Sequence, residues 1–166
     1  MVNIGIIGCG GMGGHHAKII SKLEDVQLAG VADEIPEKSR SLSEQTNTQG
    51  YTDFRELLPQ VDGVMICTPP FARTEIVLEC AAAGKHIFVE KPMALTLHDA
   101  DAMIRVCDRM GTKLFVVKQN RYNLPVVKLR QAVLAGRFGR MVMGTVRVRW
   151  SRHQAYYDQD EWRGTW

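Results

Sequence analysis

The sequence predicts an α/β fold: a doubly wound parallel sheet, followed by the beginning of an incomplete α+β unit. Three observations carry this. Short apolar runs alternate with helical patterns of about ten to fifteen residues, the signature of parallel strands joined by crossover helices. A glycine-rich turn, "GCGGMGGHHA", follows the first apolar run directly. Beyond about residue 120 the pattern changes to a strictly alternating segment.

Taken in order, Val2–Gly8 reads as a buried strand and Met12–Leu23 as a helix. Val26–Asp33 is a second strand, with a helix across Pro36–Gln45. "VDGVMICT" is a third strand, and "ARTEIVLECAAA" has helical composition stopped by Gly84, a residue suited to ending helices. "HIFVEK" is the next strand. Thr96 starts a helix with Asp99 three positions on, a weak capping box, and Gly111 ends it. "KLFVVK" completes the series. After it Leu124–Ala135 looks helical, "GRFGR" is a turn, and Met141–Trp150 alternates. There Val142, Val146, Val148 and Trp150 share one face, as in a strand of an antiparallel sheet with one apolar side. A single strand cannot be a domain. The expected division is therefore residues 1–120 as one domain and 121–166 as the start of another.

Composition excludes several classes. At 45% hydrophobic and 23% charged residues, the 166-residue chain is an ordinary globular protein. A net charge of +3 gives no basis for a nucleic-acid or acidic-membrane partner. No apolar stretch reaches the ~18 residues a membrane span needs. Cys9, Cys67, Cys80 and Cys107 form no C-x-x-C pair and sit in apolar runs, so they read as reduced thiols of a cytoplasmic protein, and no metal site is expected.

Gly8, Gly10 and Gly13 match G-x-G-x-x-G between a strand and a helix, and Asp33 lies twenty residues past Gly13 at the end of the second strand. The three glycines have separate roles. Gly8 permits the tight turn, Gly10 lets a pyrophosphate approach, and Gly13 lets the helix pack on the strand. With Gly11 and Met12 they would present the helix-start amides, with the positive end of the helix dipole, to phosphates. Asp33 would accept hydrogen bonds from the adenosine ribose, and its charge, followed by Glu34, would repel a 2′-phosphate. NAD is thereby favoured over NADP. The alternative is a glycine-rich turn that binds nothing.

"CTPP" and "VEKP" end the third and fourth strands of this reading, and ligands of open α/β sheets bind beyond the carboxyl ends of strands. Lys91 there would stabilise negative charge on a substrate oxygen. Partial desolvation would lower its pKa and suit it to relaying a proton. An isolated Glu-Lys-Pro also reads as a surface lysine at a strand end.

Together "IGIIGCGGMGGHHA", "VAD", "CTPP", "AAAGKHIFVEKPMALT" and "GRFGR" resemble the Gfo/Idh/MocA family (glucose–fructose oxidoreductase, inositol dehydrogenase and rhizopine catabolism proteins), in order along essentially the whole chain. The resemblance implies an NAD(P)-dependent oxidoreductase with a Rossmann domain, acting on a sugar or cyclitol hydroxyl. It implies that Lys91 contacts the reacting hydroxyl, that Glu90 and Pro92 shape the nicotinamide pocket, with a cis bond before Pro92 in many relatives, and that Thr68, Pro69 and Pro70 line the cofactor near its ribose and nicotinamide. His16 would lie near the cofactor or serve as a packing residue. Many relatives carry a histidine where this chain has Arg73, which reads as a solvated helix residue.

"KQNRYNLPV" and "VRVRWSRHQAYYDQDEWRGTW" resemble members that oxidise nucleotide-linked amino sugars or sugar acids, especially UDP-N-acetylglucosamine-type 3-dehydrogenases; inositol and simple-sugar dehydrogenases share much of this stretch. Asn120 and Arg121, just past a strand end, are expected to line the pocket, Asn120 on the cofactor. Arginines such as Arg121, Arg147, Arg149, Arg152 and Arg163 suit a diphosphate or uronate. Tyr156, Tyr157 and Trp162 suit stacking on a sugar or base. The alternatives are a solvated face or subunit interface for Arg147 and Arg149, and packing for the aromatics. Relatives place an acid–base histidine in a segment beyond the last residue here, so the chain is expected to be an N-terminal fragment, inactive alone and prone to oligomerise. A non-catalytic dinucleotide-binding protein and another Rossmann enzyme, such as a dihydrodipicolinate reductase-like protein, are the competing readings.

Overall fold

The computed structural model describes residues 1–159 and residue 164. It divides into two compact units, Met1–Val117 and Lys118–Trp166.

The first unit is the expected parallel sheet. Its strands are β1 (Val2–Ile7), β2 (Val26–Ala32), β3 (Gln49–Tyr51), β4 (Gly63–Ile66), β5 (His86–Val89) and β6 (Leu114–Val116), in the spatial order β3-β2-β1-β4-β5-β6. Every recorded pairing is parallel. The order reverses between β1 and β4, and a crevice opens there at the carboxyl ends of the strands. The helices are α1 (Gly11–Ile20), α2 (Pro36–Thr46), the single turn α3 (Phe54–Leu57), α4 (Arg73–Ala82) and α5 (Leu97–Met110). α5 is capped as its sequence suggests: Thr96 Oγ1 accepts from the Asp99 amide at 3.1 Å, and Gly111 ends it at φ +67°.

The core explains why β1 is apolar on successive residues. Ile4 and Ile6 join Ala17, Ile20, Leu28, Val31 and Leu42 beneath α1 and α2. Ile7 faces the opposite layer with Leu57, Val64, Ile66, Val77, Ile87, Val89 and Met103. A strand covered on both sides has no polar face to alternate with. Fully burying each such side chain is worth about 1.5–3 kcal/mol.

Two elements escape the sequence reading. β3 is three residues long, too short for a period, and α3 is one turn held by Asp53 Oδ1 accepting from the Arg55 amide at 2.9 Å.

The second unit contains a 3-10 turn over Gln119–Tyr122, α6 (Leu124–Leu134) and α7 (Gln154–Tyr157). The expected strand over Met141–Trp150 is not formed. Strand backbone is stabilised by a ladder to a neighbour, and among the described residues this segment pairs with none. Val142, Val146 and Trp150 stand 76–87% exposed.

Candidate functional site

The crevice is assembled by loops that leave β1, β2, β4 and β5. Gly8 has φ +96°, which side chains disfavour, and a Cβ there would lie 2.8 Å from the Thr68 amide nitrogen. A Cβ on Gly13 would overlap the Gly8 carbonyl oxygen. The loop after β1 is thus pressed against the loop after β4 on one side and against α1 on the other. Gly10 and Gly11 are the reverse case: a Cβ on either would meet nothing within 4 Å, and both are exposed. The first-turn amides of α1, Gly11 to Gly13, have no acceptor within the helix. Bare amides at a dipole's positive end beside open space suit a pyrophosphate. A cavity of about 640 Å³ opens on the same turn between α1 and α2, lined by Gly10, Gly11, Gly14, Lys38 and Ser41 among others. That lies within the ~300–1,000 Å³ usual for ligand sites. Nothing in the motif pointed to Lys38 or Ser41, which reach the cavity through the packing of α2.

Asp33 already has two backbone partners. Its Oδ2 accepts from the Cys9 amide at 2.7 Å and its Oδ1 from the Ile35 amide at 3.0 Å, pinning the glycine turn to the end of β2. An ionised carboxylate offers about four acceptor positions, so two are left for hydroxyl donors.

The Glu-Lys-Pro segment sits at the end of β5. Glu90 is 4% exposed, its Oε1 lies 2.8 Å from His16 Nε2, and its Oε2 accepts from the Lys91 amide at 3.1 Å. His16 on α1 therefore ties the glycine-turn helix to this loop. The Lys91–Pro92 bond is cis. Lys91 itself is exposed, contrary to the partial desolvation expected of it, because the turn carries it out past the buried end of β5. Thr68, Pro69 and Pro70 are half-buried after β4; Thr68 Oγ1 is buried without a hydrogen-bond partner among the described residues.

The largest correction concerns Arg73. Expected as a solvated helix residue, it is 5% exposed at the start of α4. Its Nε donates to the Thr68 carbonyl at 2.8 Å, and its Nη1 donates to the carbonyls of Glu90, at 2.6 Å, and Pro92. A polar residue in a helical pattern gives no sign of partners seventeen and nineteen positions away.

All four cysteines are free. Burial first, then the Asp33 carboxylate, pushes the Cys9 thiol up to about 12; burial first, then Glu90, does the same for Cys67. Neither serves as a nucleophile near neutral pH. Among the described residues no group of three or more His, Cys, Asp or Glu is placed to hold a metal ion, and no helix is long and apolar enough to cross a membrane.

The remaining sequence candidates lie in the second unit. Asn120 and Arg121 are exposed on the 3-10 turn, and Tyr157 sits on α7 with its ring 5.2 Å from that of Tyr156. Trp162 and Arg163 lie outside the described residues.

A parallel sheet in this order, with a glycine turn and an acid at its switch point, defines a dinucleotide-binding Rossmann protein. The family model described as "Oxidoreductase family, NAD-binding Rossmann fold" matches residues 2–118. The chain belongs to this Gfo/Idh/MocA oxidoreductase family, and its first unit is an NAD-binding domain. Among solved structures it is similar to the WlbA dehydrogenase from Bordetella pertussis in complex with NADH and UDP-GlcNAcA, at 36% identity and TM-score 0.92 over 98% of this chain and 51% of that one. It is 34% identical to myo-inositol 2-dehydrogenase of Thermotoga maritima, over 84% of this chain and 42% of the relative. It is 33% identical to UDP-N-acetylglucosamine 3-dehydrogenase of Acidithiobacillus ferrooxidans, over 77% of this chain and 40% of the relative. The chain thus spans about half the length, or less, of the relatives it matches.

Proposed function

We propose that this chain is the cofactor-binding part of an NAD-dependent dehydrogenase that oxidises a hydroxyl of a nucleotide-linked amino sugar or sugar acid. The observation that carries it is the junction of the glycine-turn helix and the Glu-Lys-Pro loop through the 2.8 Å His16–Glu90 contact, which ties the loop that carries Lys91 to α1. The similarity to a dehydrogenase solved with NADH and UDP-GlcNAcA supports the substrate class. Inositol as substrate is the second reading, favoured by the myo-inositol 2-dehydrogenase relative.

The residues present fit the dinucleotide. Gly10, Gly11, Met12 and Gly13 hold its phosphates by their amides, and Gly8 keeps the turn tight. Asp33 accepts from the adenosine ribose while its charge disfavours a 2′-phosphate, selecting NAD over NADP. Thr68, Pro69, Pro70 and Glu90 of the first unit would flank the nicotinamide half, and the family resemblance adds Asn120 to the cofactor residues. A nicotinamide held there would supply the hydride-accepting chemistry for oxidation of the sugar hydroxyl. Lys91 donates a hydrogen bond to the reacting oxygen and stabilises the negative charge growing on it as the hydroxyl proton departs. That proton passes to an acid–base group, a role the family resemblance gives to a histidine in relatives. The resemblance to nucleotide-sugar dehydrogenases suggests Arg121, Tyr157, Trp162 and Arg163 as substrate residues. The whole protein works in the cytoplasm as a homo-oligomer, without nucleic acid or membrane. What supports association is the exposed apolar side chains of the second unit, Val142, Val146, Val148 and Trp150.

Titrating NADH into the chain while following its fluorescence, then adding a UDP-N-acetylamino sugar uronate or myo-inositol, tests the reading. Binding without turnover is expected. Absence of NADH binding by folded protein would sink it, and turnover would show that residues 1–166 suffice for the chemistry.

A further inference from the structure

Arg73 is the most buried cation in the described part of the chain, and the chemistry above does not use it. It stands at the first position of α4, immediately after the Thr68–Pro70 segment, and its guanidinium reaches three carbonyls. One, on Thr68, belongs to the loop after β4. Two, on Glu90 and Pro92, belong to the loop after β5 and enclose Lys91 between them in sequence. The bond to the Glu90 carbonyl is buried, where an unpaired acceptor is costly, and those to the Thr68 and Pro92 carbonyls are partly buried. A planar fork of fixed donors satisfies several at once and holds them at set angles; an ammonium on a flexible stem has no such fork. Burial alone opposes the charge on Arg73, and the nearby Glu90 carboxylate favours it. The cation is thus held by the two loops it joins, with almost none of it presented to solvent.

We infer that Arg73 is a positioning residue: by strapping the Thr68–Pro70 loop to the Glu90–Pro92 loop through their backbone carbonyls, it fixes where the Lys91 side chain and the nicotinamide half of the cofactor meet. This rests on the dinucleotide reading above, in which those two loops flank the nicotinamide and the glycine turn takes the phosphates. Groups that hold contact residues in place usually matter nearly as much as the contacts themselves. The strap acts on one half of the ligand only. ADP, which meets the glycine turn and Asp33 alone, should not sense it.

The experiment compares the 166-residue chain with its Arg73→Met and Arg73→Lys variants, measuring Kd for NADH and for ADP by calorimetry, with hydrogen exchange on the unliganded proteins. The expected result is an NADH Kd raised about fivefold or more with the ADP Kd within about twofold. Exchange should quicken at the amides of Thr68, Phe71, Ala72, Glu90, Lys91 and Met93, and not in the β1–α1 turn. Arg73→Lys keeps the charge and most of the stem, so it carries the test if Arg73→Met does not fold. A ratio of NADH to ADP affinity unchanged in the Lys variant overturns the inference, whether both affinities fall together or neither moves. A wild type that binds NADH no more tightly than ADP overturns the nicotinamide placement. One that binds neither overturns the dinucleotide reading and the inference with it.

Discussion

Two segments of this chain carry similar raw material and meet opposite fates. β1, Val2–Ile7, and the stretch Met141–Trp150 are both rich in β-branched and apolar residues. β1 is paired with β2 and β4 and covered above and below, so Ile6 is 0% exposed. The later stretch has a cleaner alternation, yet forms no ladder, and Val146 is 87% exposed. Periodicity states which face would be buried; it cannot supply the surface that buries it. Strand propensity is largely a measure of fit to neighbours.

The largest effect that would sharpen this contrast comes from the interior of the first unit. Ile66→Ala removes a fully buried side chain and should cost about 2–5 kcal/mol, read as a drop in urea midpoint at constant m. A loss below about 1 kcal/mol would mean that the first unit is packed no better than the second.

Close packing of backbone on backbone comes next. Gly13→Val places side-chain atoms where the Gly8 carbonyl already is. It should weaken NADH binding about a hundredfold, roughly 2.7 kcal/mol, while Gly11→Ala, with open space around it, should change Kd by far less. Equal losses in the two variants would contradict the division of labour among the glycines.

Alkaline pH should act on the first unit through its thiols, since all four lie there. Cys9, Cys67 and Cys80 are each pushed up to about 12, with burial the largest cause. A thiol whose folded pKa is raised contributes fully below its unfolded value, about 8.5, and that contribution is lost as pH climbs toward the folded one. Stability should therefore fall between about pH 8.5 and 12, by about 1–2 kcal/mol at pH 10 after allowing for the partial exposure of Cys9 and Cys67. Urea midpoints measured at pH 7.5 and 10 check this, and a flat profile contradicts it.

The smallest effect belongs to the second unit. Val146→Thr should shift stability by no more than about 0.5 kcal/mol, because an exposed side chain has little to lose. A larger loss in the isolated chain would show that this face is covered in solution, and light scattering would then reveal whether a second copy covers it.

Much of the candidate site's backbone was legible because dinucleotide-binding turns use local signals. A turn that needs φ +96° at Gly8 and contact distance at Gly13 writes itself as glycine, and an acid at the end of β2 follows at a set spacing. Arg73 and the His16–Glu90 contact were not legible in the same way. Their partners are brought near only when α1, α4 and the loop after β5 pack around the sheet, and His16 is 74 residues from Glu90. β3 was missed for a different reason: with three residues, its identity comes entirely from the edge of β2 that it pairs with.

The order of residues by itself determined the parallel sheet, the glycine turn, the acid at the end of β2 and the lysine at the end of β5. Each follows from backbone sterics and side-chain period acting over a few residues. Only the tertiary structure decided that Asp33 braces the turn, that an arginine joins two loops from within, and that an alternating segment remains without a ladder. Those outcomes depend on which surfaces meet, and a linear pattern does not encode what lies opposite it.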